Sequence, residues 1–91
     1  DALDALREAG ATLAVCTNKR QDLSEQLIEA LGLTDLFDVI FGADRATHRK
    51  PHADHVFETI AAAGGEPDRA LFVGDSRTDE RAARNAGLPF V

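Results

Sequence analysis

Cysteine is almost absent: Cys16 is the only one in 91 residues. A lone thiol closes no internal disulfide, so the fold does not rest on cross-links. Cys16 sits in an apolar run and reads as a buried thiol in a reducing compartment, which points to a cytoplasmic protein. Long apolar runs are missing as well. None approaches ~18 residues, so no membrane span is expected. The opening residues, DALDALREAG, have neither the basic start nor the apolar centre of a signal peptide. Positive charge is in deficit, with a net charge of −6 and a pI near 4.8. A global basic field for nucleic acid or an anionic membrane is thereby excluded. No Gly-x-Gly-x-x-Gly follows a strand, which disfavours dinucleotide binding. There is no internal repeat, low-complexity tract or linker, and no signal for an oligomeric state.

What is present fits one small globular domain, residues 1–91, with 44% apolar and 29% charged residues. The chain starts inside a helical pattern and stops at Leu88-Pro89-Phe90-Val91, which resembles the start of a strand. Both ends read as cuts through a larger protein.

The stretch Leu71–Gly87, LFVGDSRTDERAARNAG, carries the densest signal. Leu71-Phe72-Val73 reads as a short buried strand that turns at Gly74-Asp75. Ser76 is an N-cap candidate, Asp79 three residues on completes a capping-box-like pair, and Gly87 closes the helix. Asp75 and Asp79 are placed to share one side at the strand's carboxyl end, where open α/β sheets hold ligands. Two readings stand: the acids complement the helix's positive end, or they form a divalent-cation site with hard oxygen donors.

Upstream, Leu3, Leu6 and Ala9 share a helical face and Gly10 ends it. Ala11–Cys16 reads as a buried parallel strand whose carboxyl end meets the polar loop Thr17-Asn18-Lys19-Arg20. Leu23, Leu27, Ile28 and Leu31 repeat at helical spacing until Gly32. Leu33–Phe37 reads as a turn, and Val39-Ile40-Phe41 as a second strand followed by Gly42-Ala43-Asp44. Arg45–Pro51 is a basic loop, with Pro51 suited to the first turn of a helix that continues through His55, Val56, Thr59, Ile60 and Ala63. Gly64-Gly65-Glu66-Pro67-Asp68 breaks it. Strands alternating with helices indicate an α/β fold with a Rossmann-like parallel sheet and flanking helices.

Parallel strands deliver their carboxyl ends to one sheet edge. Thr17-Asn18, Lys50 and the Asp75/Asp79 pair therefore converge on one crevice. A hydroxyl, an amide, a cation and two carboxylates are what a phosphoryl group and its metal require. Taken singly, Thr17 reads equally as a turn residue and Lys50 as a solvated lysine.

VCTNK (Val15–Lys19), RKPHAD (Arg49–Asp54) and FVGDSRTDERAARNAG (Phe72–Gly87) resemble three of the four signature motifs, the second to fourth, of the haloacid dehalogenase-like hydrolase superfamily, nearest its phosphoglycolate phosphatases. The resemblance covers the whole chain; family members often carry a second proline where this chain has Ala53. It implies an Mg²⁺-dependent phosphatase acting on a small phosphate monoester through an aspartyl-phosphate intermediate. It implies that Thr17 binds the phosphoryl oxygen with help from the amide of Asn18, and that Lys50 neutralises the phosphoryl group. It further implies that Asp75 ligates the metal, and that Asp79 holds metal-bound water or orients Lys50. Ser76 and Gly74 stand behind them.

The family's first motif, Asp-x-Asp-Gly-Thr, supplies the nucleophile and is not in this sequence. DLFD (Asp35–Asp38) and DALD (Asp1–Asp4) have the wrong spacing and context. The first strand and the cap domain are likewise missing, so the segment alone is expected to be inactive. The resemblance places that strand between the threonine strand and Leu71–Val73, which should then not pair directly. A phospho-receiver-like domain is disfavoured because its acids precede the threonine and lysine. A non-catalytic structural or interaction segment is the remaining alternative. His48, His52 and His55 lie close in sequence, but Pro51 spoils a clean helical pair for zinc. With Arg45, Arg49 and Lys50 they read instead as a local positive patch for an anionic ligand.

Overall fold

Two three-residue strands, β1 (Ala14–Cys16) and β2 (Val39–Phe41), pair in parallel, with Ala14 opposite Val39 and Cys16 opposite Phe41. The computed structural model describes residues 2–91; Asp1, and with it part of the DALD segment, lies outside them. Around the strands are helices α1 (Ala2–Glu8), α2 (Gln21–Ala30), α3 (Ala53–Ala62) and α4 (Arg77–Ala86), with single 3-10 turns at Thr34–Leu36 and Pro67–Arg69. This is the expected alternation of strand and helix. The first strand is shorter than Ala11–Cys16.

Helix ends follow local chemistry. Gly10, Gly32 and Gly87 take positive φ of 97°, 70° and 73° just beyond α1, α2 and α4. Left-handed backbone is nearly free for glycine and costly with a Cβ. Ser76 caps α4 as expected, its hydroxyl accepting from Asp79 N at 3.2 Å.

The Leu71–Val73 run is not the buried strand expected: Phe72 is buried, but Leu71 and Val73 are 58% and 69% exposed. Only Phe72 bridges in parallel, to Phe90. Phe72 N donates to Pro89 O at 3.0 Å, Val91 N to Phe72 O at 3.0 Å, and Gly74 N to Val91 O at 3.2 Å. Among the described residues β1 pairs with β2 alone, so Leu13–Cys16 and Leu71–Val73 are not hydrogen-bonded to each other. That separation matches the strand order expected from the resemblance.

The core lies between α3 and α4. Val56, Phe72, Ala82, Ala83 and Leu88 are buried, and Cys16, Ile60, Ala70, Ala86 and Phe90 pack around them. Burial of side chains as large as Val56 or Phe72 stabilises by ~1.5–3 kcal/mol each. Methyl-only side chains at Ala82 and Ala83 let α4 lie close on α3.

Two further expectations need correction. In α2 the buried stripe is Gln21, Ser24 and Ile28, whereas Leu23, Leu27 and Leu31 are 44%, 46% and 60% exposed. Polar groups win the inner face because Gln21 satisfies strand and loop backbone. Its Nε2 donates to Ile40 O at 2.7 Å and its Oε1 accepts from Gly42 N at 2.6 Å. The second correction concerns Pro51, which precedes α3 instead of occupying its first turn. His52 is the N-cap, accepting from Asp54 N at 3.0 Å through Nδ1.

Asp44 caps α2 from the following loop, Oδ1 accepting from Gln21 N at 2.8 Å, because Arg20 provides no side-chain cap. Gly42 is pressed against the same turn. A Cβ there would lie 2.6 Å from Gln21 N and 2.9 Å from Lys19 O, both rigid backbone. Gly42→Ala should therefore lower stability by about 1–3 kcal/mol. Thermal unfolding measures this, and an unshifted midpoint contradicts the packing described.

Candidate active site

Lys50 is the hub of the crevice. Its side chain is 8% exposed, and its Nζ lies 2.6 Å from Asp79 Oδ1, itself only 14% exposed. The same Nζ donates to Cys16 O, the last carbonyl of β1, at 2.8 Å. It also stands 5.6 Å above the Phe72 ring. One ammonium thus spans the two unconnected ladders. Burial acts to raise the Asp79 carboxyl, but hydrogen bonds from Lys50 and Ser76 outweigh it and hold the group below the ordinary carboxylate range. Ser76 Oγ donates to Asp79 Oδ2 at 2.9 Å, so both carboxylate oxygens are engaged.

Gly74 makes this arrangement possible. A Cβ at that position would fall 2.5 Å from Asp79 Cβ and 2.6 Å from its carboxylate. Asp75, one residue on, is exposed and has no hydrogen bond or ion pair among the described residues.

Thr17 follows Cys16 directly. Its Oγ1 accepts from Lys19 N at 3.1 Å, which leaves the hydroxyl proton available to an incoming oxygen. Asn18 is placed differently from the expectation. Its side-chain Nδ2 donates to Lys50 O at 3.0 Å, so that amide holds the lysine's backbone. Lys50 and Asp79 are brought together, and Lys50 also reaches the carbonyl of Cys16, the residue before Thr17. Ser76 and Gly74 lie against Asp79, and Asn18 holds the Lys50 carbonyl.

Three contributors escaped the sequence reading. His55, fully buried, takes the Lys50 N–H on Nδ1 at 3.1 Å, and its Nε2 lies 3.0 Å from Phe41 O. Asn85 Nδ2 on α4 donates to Pro51 O at 2.8 Å. Asp44 is the third, through its cap on α2. A polar residue on the apolar face of a helix marks His55, whereas Asn85 is exposed and carries no such signal. The Lys50–Pro51 bond is cis.

Cys16 is no rival nucleophile. Burial pushes its thiol up, which keeps it protonated. The histidines do not gather as three. His55 is internal, while His48, His52 and Asp54 lie together, with ligand-type atoms within 4.8 Å of one another and the two rings stacked at 4.7 Å. Pro51 therefore does not keep His48 and His52 apart. His52 Nδ1 is spent as the α3 cap, and the group sits at that helix's positive end, which disfavours a cation.

The haloacid dehalogenase-like hydrolase family model matches residues 1–91, and the chain belongs to that family. Among curated relatives, it is 50% identical over 91 residues to phosphoglycolate phosphatase of Agrobacterium fabrum, covering 100% of this chain and 39% of that protein. It is 41% identical to phosphoglycolate phosphatase of Escherichia coli K12, covering 100% of this chain and 36% of that protein. The chain thus spans under half the length of these relatives. Among solved structures, a HAD-superfamily hydrolase of Geobacter sulfurreducens superposes with a TM-score of 0.86 at 37% identity, covering 98% of this chain and 45% of that one. CbbY of Rhodobacter sphaeroides, crystallised with xylulose-(1,5)bisphosphate, superposes with a TM-score of 0.85 at 32% identity, covering 97% of this chain and 40% of that one. No helix among the described residues is long and apolar enough to cross a membrane.

Burial holds the His55 imidazole below its ordinary value of 6.5. As pH falls, the unfolded chain takes the proton first. The stability linked to neutral His55 is present above that value and is lost as pH falls through the lower folded value. Urea midpoints measured across this range should fall toward acid more steeply for the wild type than for His55→Leu. Parallel pH profiles would contradict the assignment.

Proposed function

We propose that these residues form the phosphoryl- and metal-binding part of an Mg²⁺-dependent phosphatase acting on a small phosphate monoester of the phosphoglycolate class. The observation that carries this is the Lys50 ammonium, 2.6 Å from Asp79 and 2.8 Å from the carbonyl beside Thr17. A fixed cation and a free hydroxyl at one strand end can hold the non-bridging oxygens of a phosphoryl group. The names of the curated relatives support the substrate class.

Donor chemistry supports a hard divalent cation. Asp75 offers an exposed, unpartnered carboxylate at the strand's carboxyl end. Mg²⁺ takes one or two carboxylates and keeps several waters, so this sparse set fits it. Asp75 would hold the ion, and Asp79 would sit behind it. When bound, the ion shares the charge that develops on the transferring group. Lys50 would neutralise charge on the phosphoryl oxygens, Thr17 would orient one of them, and Asp79 holds the ammonium in place. Ser76 fixes the rotamer of Asp79, and Gly74 gives it room. Hydrolysis proceeds through an aspartyl-phosphate whose nucleophile is not among these residues, so the 91-residue segment alone turns nothing over.

In the whole enzyme, Asp75→Asn and Lys50→Met should each cut kcat by about 10²–10³-fold. Chelation should abolish turnover of phosphoglycolate and related monoesters, and added Mg²⁺ should restore it. Unaltered activity in Asp75→Asn sinks the proposal and favours a non-catalytic role. Turnover by the isolated segment overturns the view that its nucleophile lies elsewhere.

A further inference from the structure

Lys50 is useful only if its ammonium reaches a spot narrower than the reach of a free lysine. Its backbone is accordingly gripped on both sides. Asn18 Nδ2 donates to the Lys50 carbonyl at 3.0 Å, and His55 Nδ1 lies 3.1 Å from the Lys50 nitrogen. The second contact is buried, and His55 itself is 0% exposed. The ring is clamped by complementary partners. A backbone N–H only donates, so Nδ1 must offer its lone pair to Lys50. The Phe41 carbonyl only accepts, so Nε2, 3.0 Å away, must carry the proton. One state of the ring satisfies both: the neutral Nε2–H tautomer. An imidazolium would set one N–H against another and place a second cation beside Lys50.

We propose that His55, as its neutral Nε2–H tautomer, is a positioning residue that sets the register of Lys50 by tying its amide to the Phe41 end of β2. The proposal rests on the reading of Lys50 as the phosphoryl-neutralising cation. Through this ring the edge strand and the lysine loop move as one body. The His55 carbonyl is tied in too, accepting from Thr59 Oγ1 at 2.7 Å, which fixes the start of α3 beneath the loop. His55 touches neither substrate nor metal, and its effect reaches the chemistry only through Lys50.

Two near-isosteric substitutions separate positioning from packing. The Oδ1 of asparagine overlays Nδ1 and keeps the acceptor for Lys50. The Nε2 of glutamine overlays imidazole Nε2 and keeps the donor for Phe41. Each variant loses one buried hydrogen bond, so both should melt below the wild type. In the whole enzyme, His55→Gln should lower kcat by up to about 100-fold with little change in KM, the size expected when a catalytic group is misplaced by about an ångström. His55→Asn should keep kcat near wild type. Equal losses in both variants, or full activity in a folded His55→Gln, overturn the proposal. A second measurement is independent of turnover. Long-range ¹H–¹⁵N spectra of the imidazole should show unprotonated Nδ1 and protonated Nε2, and the Lys50 amide resonance should move in His55→Gln more than in His55→Asn. A protonated Nδ1 at neutral pH overturns the proposal. If the wild type hydrolyses no phosphate ester, the functional reading falls, and the spectra still decide whether His55 holds Lys50.

Discussion

A buried ammonium facing a largely covered carboxylate is the constraint around which this fold is arranged. Taking both charges from water is costly, and mutual attraction offsets that cost only when the remaining donors and acceptors are also met. Here they are. Lys50 Nζ has Asp79 Oδ1 and Cys16 O, and Asp79 Oδ2 has Ser76 Oγ. Removing either partner leaves an uncompensated charge in a nearly dry site. An apolar pair of the same volume could fill that space without the electrostatic cost.

The pair also solves a structural problem. The β1–β2 ladder and the Phe72–Phe90 bridge share no backbone hydrogen bond among the described residues. Side chains join them instead. Lys50 reaches from the α3 side to the β1 carbonyl and to α4, and Asn85 of α4 returns to the Pro51 carbonyl. Beneath them, Ala82 and Ala83 bury completely against the α3 side of the core. Small residues there let the helix bearing Asp79 approach the loop bearing Lys50.

Local chemistry was legible from the residues, and long-range satisfaction was not. Ser76 with Asp79, and Gly10, Gly32 and Gly87 at helix ends, announce themselves because caps act over a few positions. Convergence of Thr17, Lys50 and Asp79 followed from parallel topology. Leu23, Leu27 and Leu31 misled because periodicity identifies a stripe, not what it faces. Gln21 took the inner position for backbone groups at Ile40 and Gly42, which no local pattern encodes. His55 escaped for the same reason: a histidine at an inward helix position looks like filler until Lys50 N and Phe41 O are placed around it. Asp44 caps a helix that starts 23 positions earlier, a partnership invisible to window-based reading.

The two acids at α4 can now be told apart. Residues that merely complement a helix dipole lie in the first turn, exposed and unpaired. Asp79 lies in that turn, yet it is largely covered, doubly hydrogen-bonded and bound to Lys50. Asp75 is unpaired, but it precedes the Ser76 cap and so stands outside the helix. Neither fits the dipole explanation in full. A division of labour accounts for both: Asp79 is committed inward to the lysine, which leaves Asp75 as the carboxylate available to a cation. Gly74 enforces the division, since any side chain there would push the inner acid off the ammonium. The Gly-Asp-Ser-x-x-Asp spacing thus describes one paired acid and one open acid at the start of a single helix.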